Sequence, residues 1–168
     1  QLTHVPGLPL GTRGGILAKV DLPSDGDYVV DVADMATHIW GNGMEFENPL
    51  VVLVDNKVVY ETVVGGEEDM KAYDQVQNGA LDRVNARLKN IKFQAPAGPH
   101  KIAVTFVKEG SSLVETPRQP TESRFNDRRY PRTAPAIDQF SLTGPYAPKG
   151  AGDTPSRRRI FVCRPGGQ

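Results

Sequence analysis

The sequence predicts a mainly all-β chain, an antiparallel β-sandwich with a short helical insertion around residues 67–88. Three observations predict it. Glycine and proline are abundant, 17 and 14 of 168 residues, where ordinary usage is about 12% for the two together; such a chain turns often. The apolar residues fall in short alternating runs with turn residues between them, the pattern of half-buried strands. The regularly alternating helices that a βαβ fold requires are missing.

The elements follow in order. Residues 1–13, with Pro6 and Pro9, read as an irregular arm, and 15–20 as a first strand. A turn at 23–27 has Asp-Gly at its centre. In the strand that follows, Tyr28, Val30 and Val32 share one face. A long loop at 34–49 holds the chain's one tryptophan, Trp40. The run 50–54 is a buried strand, Asp55-Asn56 a two-residue turn and 57–64 the returning strand, so 50–64 is a hairpin. Gly65-Gly66 ends it.

Residues 67–88 break the strand pattern. Glu67, Glu68 and Asp69 stand where a helix N-terminus favours carboxylates. Leu81, Val84 and Leu88 lie at helical spacing. Asn78-Gly79 divides the stretch into two short helices or kinks one. Strands resume at 91–95 and 100–107, with Ile102, Val104 and Phe106 on one face and a Pro-Ala-Gly-Pro turn between the strands. Residues 109–135 form a long excursion containing Arg118, Arg124, Arg128, Arg129 and Arg132. The last strand is expected at 136–143. The reading divides the chain into a sandwich domain, 1–146, and a tail, 147–168, leading into a further domain.

Composition excludes several function classes. No apolar run approaches 18 residues, so no membrane span is expected. Twenty basic residues balance twenty acidic ones, which argues against a dedicated nucleic-acid binder. The single Cys163 excludes an internal disulfide framework and a haem attachment motif; its partner, if it has one, is expected outside this segment. No signal peptide is visible at the start, which reads as that of an excised segment. The enzyme motifs are absent too: no G-x-S-x-G and no H-E-x-x-H, with His4, His38 and His100 far apart. Gly11 to Gly15 is glycine-rich but lacks the lysine of a phosphate-binding loop.

Carboxylates are the more informative group. Most of those in the first half read as turn residues bonding their own backbone. Asp138 differs, because it stands between Ile137 and Phe140 in an apolar stretch. Two readings stay open for it. On the core face it would need a cation or several donors; at an edge it would meet solvent.

Sugar recognition asks for an exposed aromatic ring and planar polar side chains. Trp40 with Asn42 and Asn48 fits that description, as do Tyr130, Asn126, Asp127 and Arg128 in the second loop. The competing reading makes Trp40 a loop anchor and 118–132 an internally paired, solvated loop.

The segments from Leu8 to Gly15 and from Leu22 to Tyr28 resemble the opening of a domain in large secreted bacterial proteins, which join cytochrome-c-like haem domains to domains of unknown function. Asn85 to Ile91, Ala97 to His100, Val104 to Phe106 and the tail from Asp153 to Pro165 continue the resemblance. The segment is also similar to carbohydrate-binding modules of the calcium-dependent, xylan-binding kind, on Asp25 to Tyr28, Val52 to Val58, Ala97 to Ile102 and Ile137 to Gly144. That resemblance implies a jelly roll whose loops hold calcium against sugar hydroxyls, with Asp138 where such modules place a calcium ligand in the last strand.

The sequence therefore leads to a non-catalytic polysaccharide-binding module from a larger periplasmic, secreted or cell-surface protein. Trp40, Asn42, Asn48, Arg128 and Tyr130 are its expected ligand contacts. Asp138, Asp127 and Asn126 are its expected calcium ligands, and no haem is expected in the segment. The alternative is a structural module that packs on neighbouring domains and binds no glycan. A polysaccharide-active enzyme is the third class.

Overall fold

In the computed structural model, residues 4–33, 47–76, 78–107, 137–150, 152 and 154–160 are described. Along them run β1 (Thr12–Leu22), β2 (Gly26–Val32), β3 (Asn48–Val54), β4 (Lys57–Val64), α1 (Glu67–Val76), α2 (Asn78–Arg87), β5 (Ile91–Ala95), β6 (Gly98–Val107), β7 (Phe140–Tyr146) and α3 (Pro155–Ile160). The strands make two antiparallel sheets, one ordered β1-β6-β3-β4 and the other β5-β2-β7. The chain changes sheet at every connection except β3–β4, so the two sheets form a β-sandwich. Several strand boundaries differ from the sequence reading: β1 extends beyond 15–20 at both ends, and β2 and β6 each begin two residues earlier than read. β3 begins at Asn48, taking in the end of the predicted loop, and β7 runs Phe140–Tyr146 instead of 136–143.

Period-two alternation fills the space between the sheets. Tyr28, Val30 and Val32 of β2 face Leu50 and Val52 of β3 and Ile102, Val104 and Phe106 of β6, all at most 1% exposed. Burying each such side chain contributes about 1.5–3 kcal/mol. A second, smaller cluster lies on the outer face of the four-stranded sheet. There Leu8 and Val5 of the arm pack on Val51, Leu53 and Ala103, so the arm roofs that face.

Glycine permits the closest approach between strands. Gly14 and Gly15 interrupt the β1–β6 register with φ of 57° and 96°. A Cβ on Gly15 would stand 2.2 Å from the Val104 carbonyl oxygen. The Thr105 hydroxyl donates to the Gly14 carbonyl across the same contact, at 2.8 Å.

The helical insertion is two helices, and Asn78 and Gly79, read as the interruption, are instead the first two residues of α2. Val84 and Leu88 are fully buried, and Met70 and Leu81 pack beside them against the core. The Asp69 carboxylate accepts from the Gly65 amide at 2.8 Å and from Arg87 at 2.5 Å, which fixes the start of α1 to the end of α2. Among the described residues no helix is long and apolar enough to cross a membrane.

The sandwich has two unlike ends. One carries the short turns, 23–25, 55–56 and 96–97, together with residues 147–150. The other receives the long connections: Ala33 and Glu47 bound segment 34–46, Val107 and Ile137 bound segment 108–136, and the helical hairpin joins β4 to β5 there.

Candidate ligand-binding site

The long-connection end is held by hydrogen bonds between distant parts of the chain. The Ala33 amide donates to the Gln139 carbonyl at 3.1 Å, where β2 gives way to segment 34–46. The Val32 amide donates to the Leu88 carbonyl at 2.9 Å, and the Asn90 amide to Asp31 Oδ1 at 2.5 Å. Ile137, 2% exposed, closes the core beneath β7. These bonds fix the points from which both long segments depart.

Two expected contact residues lie among the described ones. Asp138 is exposed and lies two residues before β7, so of its two readings the solvent-facing one holds. Period-two alternation gave it a core face only because the strand was taken to start earlier. Asn48 is 3% exposed. Its Oδ1 accepts from Arg13 Nη2 at 2.9 Å and its Nδ2 donates to the Val64 carbonyl at 3.2 Å. The amide thus ties β3 to β1 and β4 beneath the anchor of segment 34–46. Trp40, Asn42, Asn126, Asp127, Arg128 and Tyr130 lie outside the described residues.

The calcium expectation meets a simple count of donors. Calcium takes six to eight oxygen ligands. Asp138 offers one carboxylate at the long-connection end, and its expected partners Asn126 and Asp127 lie outside the described residues. Among the described residues no group of three or more histidine, cysteine or acidic side chains is arranged to hold a metal.

Sequence reasoning missed the polar work at the opposite end. His100 Nδ1 lies 2.6 Å from Asp55 Oδ2, and His100 Nε2 lies 2.9 Å from the Pro96 carbonyl. Burial pushes the Asp55 carboxyl up. The Lys101 amide on Oδ1, the His100 bond and the His100 and Lys101 charges outweigh that and hold it below its ordinary value of 3.8. Asp25 is a second hub. Its Oδ1 accepts from the Ala97 amide at 2.6 Å, its amide donates to the Gly150 carbonyl and its carbonyl accepts from the Lys149 amide. The only advance signal was turn composition, since every partner but Pro96 lies at least 45 residues away in sequence.

The outer face of the three-stranded sheet was missed as well. It presents Gln94, Asp27 and Tyr146 in one row, Lys92, Val29 and Thr143 in the next, and Asp31 beside Ser141. Tyr146 is 53% exposed there, although the sequence placed it beyond the last strand. Comparison with protein-family models, with curated proteins and with solved structures gives no match.

Proposed function

We propose that this chain is a non-catalytic carbohydrate-binding module that takes a plant polysaccharide of the xylan type at the long-connection end of its sandwich. One observation carries the reading. The segment with Trp40 and Asn42 and the segment with Asn126, Asp127, Arg128 and Tyr130 are anchored at the same end, at Ala33, Glu47, Val107 and Ile137, with Asp138 beside the last of these. Trp40 and Tyr130 supply stacking surfaces, Asn42 and Arg128 meet hydroxyls, and Asn126, Asp127 and Asp138 are the calcium ligands. Asn48 acts from beneath by holding β3 to Arg13. Such a module serves a secreted, periplasmic or cell-surface protein that holds polysaccharide near its other domains.

Isothermal titration with xylohexaose, cellohexaose and mannohexaose, with calcium and with EDTA, tests the proposal. Binding that EDTA weakens is expected. No binding to any of the three in either condition would overturn it.

A second reading rests on the tail. Residues 149–150 are bonded to Ser24 and Asp25, and Ile160 of α3 is 73% exposed on a helix that also carries Arg157 to Arg159. An apolar side chain left open beyond a fixed tail suits a module that packs on a neighbouring domain. Co-purification with the following domain, in a chain that binds no glycan, would favour this reading.

A further inference from the structure

We infer that the outer face of the three-stranded sheet β5-β2-β7 is a second glycan-binding surface, separate from the long-connection end, which takes an extended neutral segment of the polysaccharide. The inference rests on the carbohydrate-binding reading above.

Three features distinguish this face. First, Lys92, Gln94, Ser141, Thr143 and Tyr146 are exposed on it, whereas the outer face of the other sheet is roofed by Leu8 and Val5. Second, it carries an exposed ring. Tyr28 is 1% exposed and packs on Phe93, and the half-buried Tyr60 donates to the Arg87 carbonyl. Tyr146 instead is 53% exposed, with its hydroxyl 3.4 Å from Thr143 Oγ1, so the ring leans back along β7 and does not stand off the sheet. Third, the polar groups around the ring are uncommitted. The carboxylates of Asp25, Asp55 and Asp69 elsewhere, and that of Asp31 at the far end of this face, hold backbone amides. Among the described residues, the side chains of Asp27, Lys92, Gln94 and Ser141 have no hydrogen-bond partner.

The chemistry of the face selects the occupant. A sugar hydroxyl both donates and accepts. Here Asp27 accepts, Lys92 donates, and Gln94, Ser141 and Thr143 do both. Tyr146 and the half-buried Val29 offer apolar surface to the C–H face of a pyranose. A protein partner fits less well, because the centre of a protein interface is depleted of Lys and Asp and desolvating those charges costs more than it returns. Neighbouring strands stand about 4.8 Å apart, so the three strands make a strip about 10 Å wide. The row of Gln94, Asp27 and Tyr146 crosses that strip at its short-turn end.

The test uses the full chain and titration with xylohexaose, cellohexaose and mannohexaose. Tyr146→Ala and Gln94→Ala are compared with wild type and with Trp40→Ala, and thermal melting confirms that each is folded. Tyr146→Ala is expected to weaken binding of the preferred hexaose at least tenfold and Gln94→Ala several-fold, with Trp40→Ala retaining a measurable fraction. Amide shift changes on titrating wild type should include Val29, Gln94 and Thr143. If wild type binds a hexaose while Tyr146→Ala and Gln94→Ala bind it equally well, the second surface is overturned and the carbohydrate reading survives. If wild type binds none, both fall. Sedimentation that shows a dimer lost in Tyr146→Ala, with no glycan bound, would assign the face to a second copy and overturn the inference.

Discussion

His100 and Asp55 close one end of the sandwich with a 2.6 Å bond between Nδ1 and Oδ2, and the His100 side chain is only 10% exposed. The other ring nitrogen faces the Pro96 carbonyl. Both partners are acceptors, so a ring that carries both protons makes both bonds and a neutral ring makes one. The pair joins the β3–β4 turn to the β5–β6 turn, and Asp55 also holds the Lys101 amide. Asp55 and Asn56 sit at φ of 51° and 65°, the turn in which a short polar side chain is tolerated.

Asp55→Asn keeps that turn and removes the charge. The carboxylate is 47% exposed, so solvent screening limits the loss to about 1 kcal/mol. Because folding lowers the Asp55 pKa below 3.8, its contribution is present above that value. It disappears as pH falls through the lower folded value. Thermal melts of wild type and Asp55→Asn from pH 7 to pH 2 should therefore differ by a constant amount at neutral pH and converge below about pH 3.8. A difference that persists undiminished to pH 2 would contradict the assignment.

Gly15 and Gly11 separate crowding from backbone strain. Both have positive φ, 96° and 88°. A Cβ on Gly11 meets nothing within 4 Å, while one on Gly15 meets the Val104 carbonyl at 2.2 Å and Thr105 at 2.7 Å. Gly11→Ala should cost about 1–2 kcal/mol of unfolding free energy, from strain alone. Gly15→Ala adds overpacking between two core strands and should cost about 3 kcal/mol or more. Urea denaturation of the two variants checks the order, and equal losses would refute the account.

The alternation of β2 and β6 was legible because each of their core residues sits at the period of its strand, and β3 was legible as buried because it is apolar from Leu50 to Val54. The turn at 55–56 was legible because Asp-Asn tolerates its φ values. Asn48 was not legible: its burial depends on Arg13, 35 residues away, and a polar residue beside a predicted loop gives no sign of that. Asp138 and Tyr146 shared one cause. Period-two alternation assigns faces within a strand but not where the strand begins, and the shift of β7 toward the C-terminus left Asp138 ahead of the strand and brought Tyr146 onto the sheet. The paired-sheet face around Tyr146 exists only through the register of three strands distant in sequence.

Asn48→Ala distinguishes support from contact. Its removal leaves the Val64 carbonyl without a side-chain donor and Arg13 without its amide partner in a site 3% exposed. Such a loss costs about 1–3 kcal/mol. Asn48 is buried under β3, so glycan affinity measured well below the melting temperature should change less than two-fold, while chemical denaturation shows the loss. A tenfold fall in affinity with unchanged stability would make Asn48 a direct contact instead.

Gly152 tests how residues 147–150 are held to the sandwich. The Ser24 hydroxyl donates to the Gly150 carbonyl at 2.6 Å, and the Tyr28 hydroxyl donates to the Ser24 carbonyl, so the buried ring of β2 supports the turn that holds the tail. A Cβ on Gly152 would stand 2.1 Å from Asp25 Oδ1. Asp25 has little room to yield, because that same oxygen accepts from the Ala97 amide at 2.6 Å. Gly152→Ala therefore displaces the tail and breaks the bonds from the Lys149 amide to Asp25 and from the Asp25 amide to Gly150. The core is untouched, so the main unfolding transition should move by no more than about 1–2 kcal/mol. Cleavage by trypsin after Lys149 should accelerate several-fold under native conditions, since local release governs access there. Ser24→Ala should produce a smaller acceleration in the same direction. If trypsin cuts wild type and Gly152→Ala at Lys149 at the same rate, the clamp around Asp25 does not hold the tail.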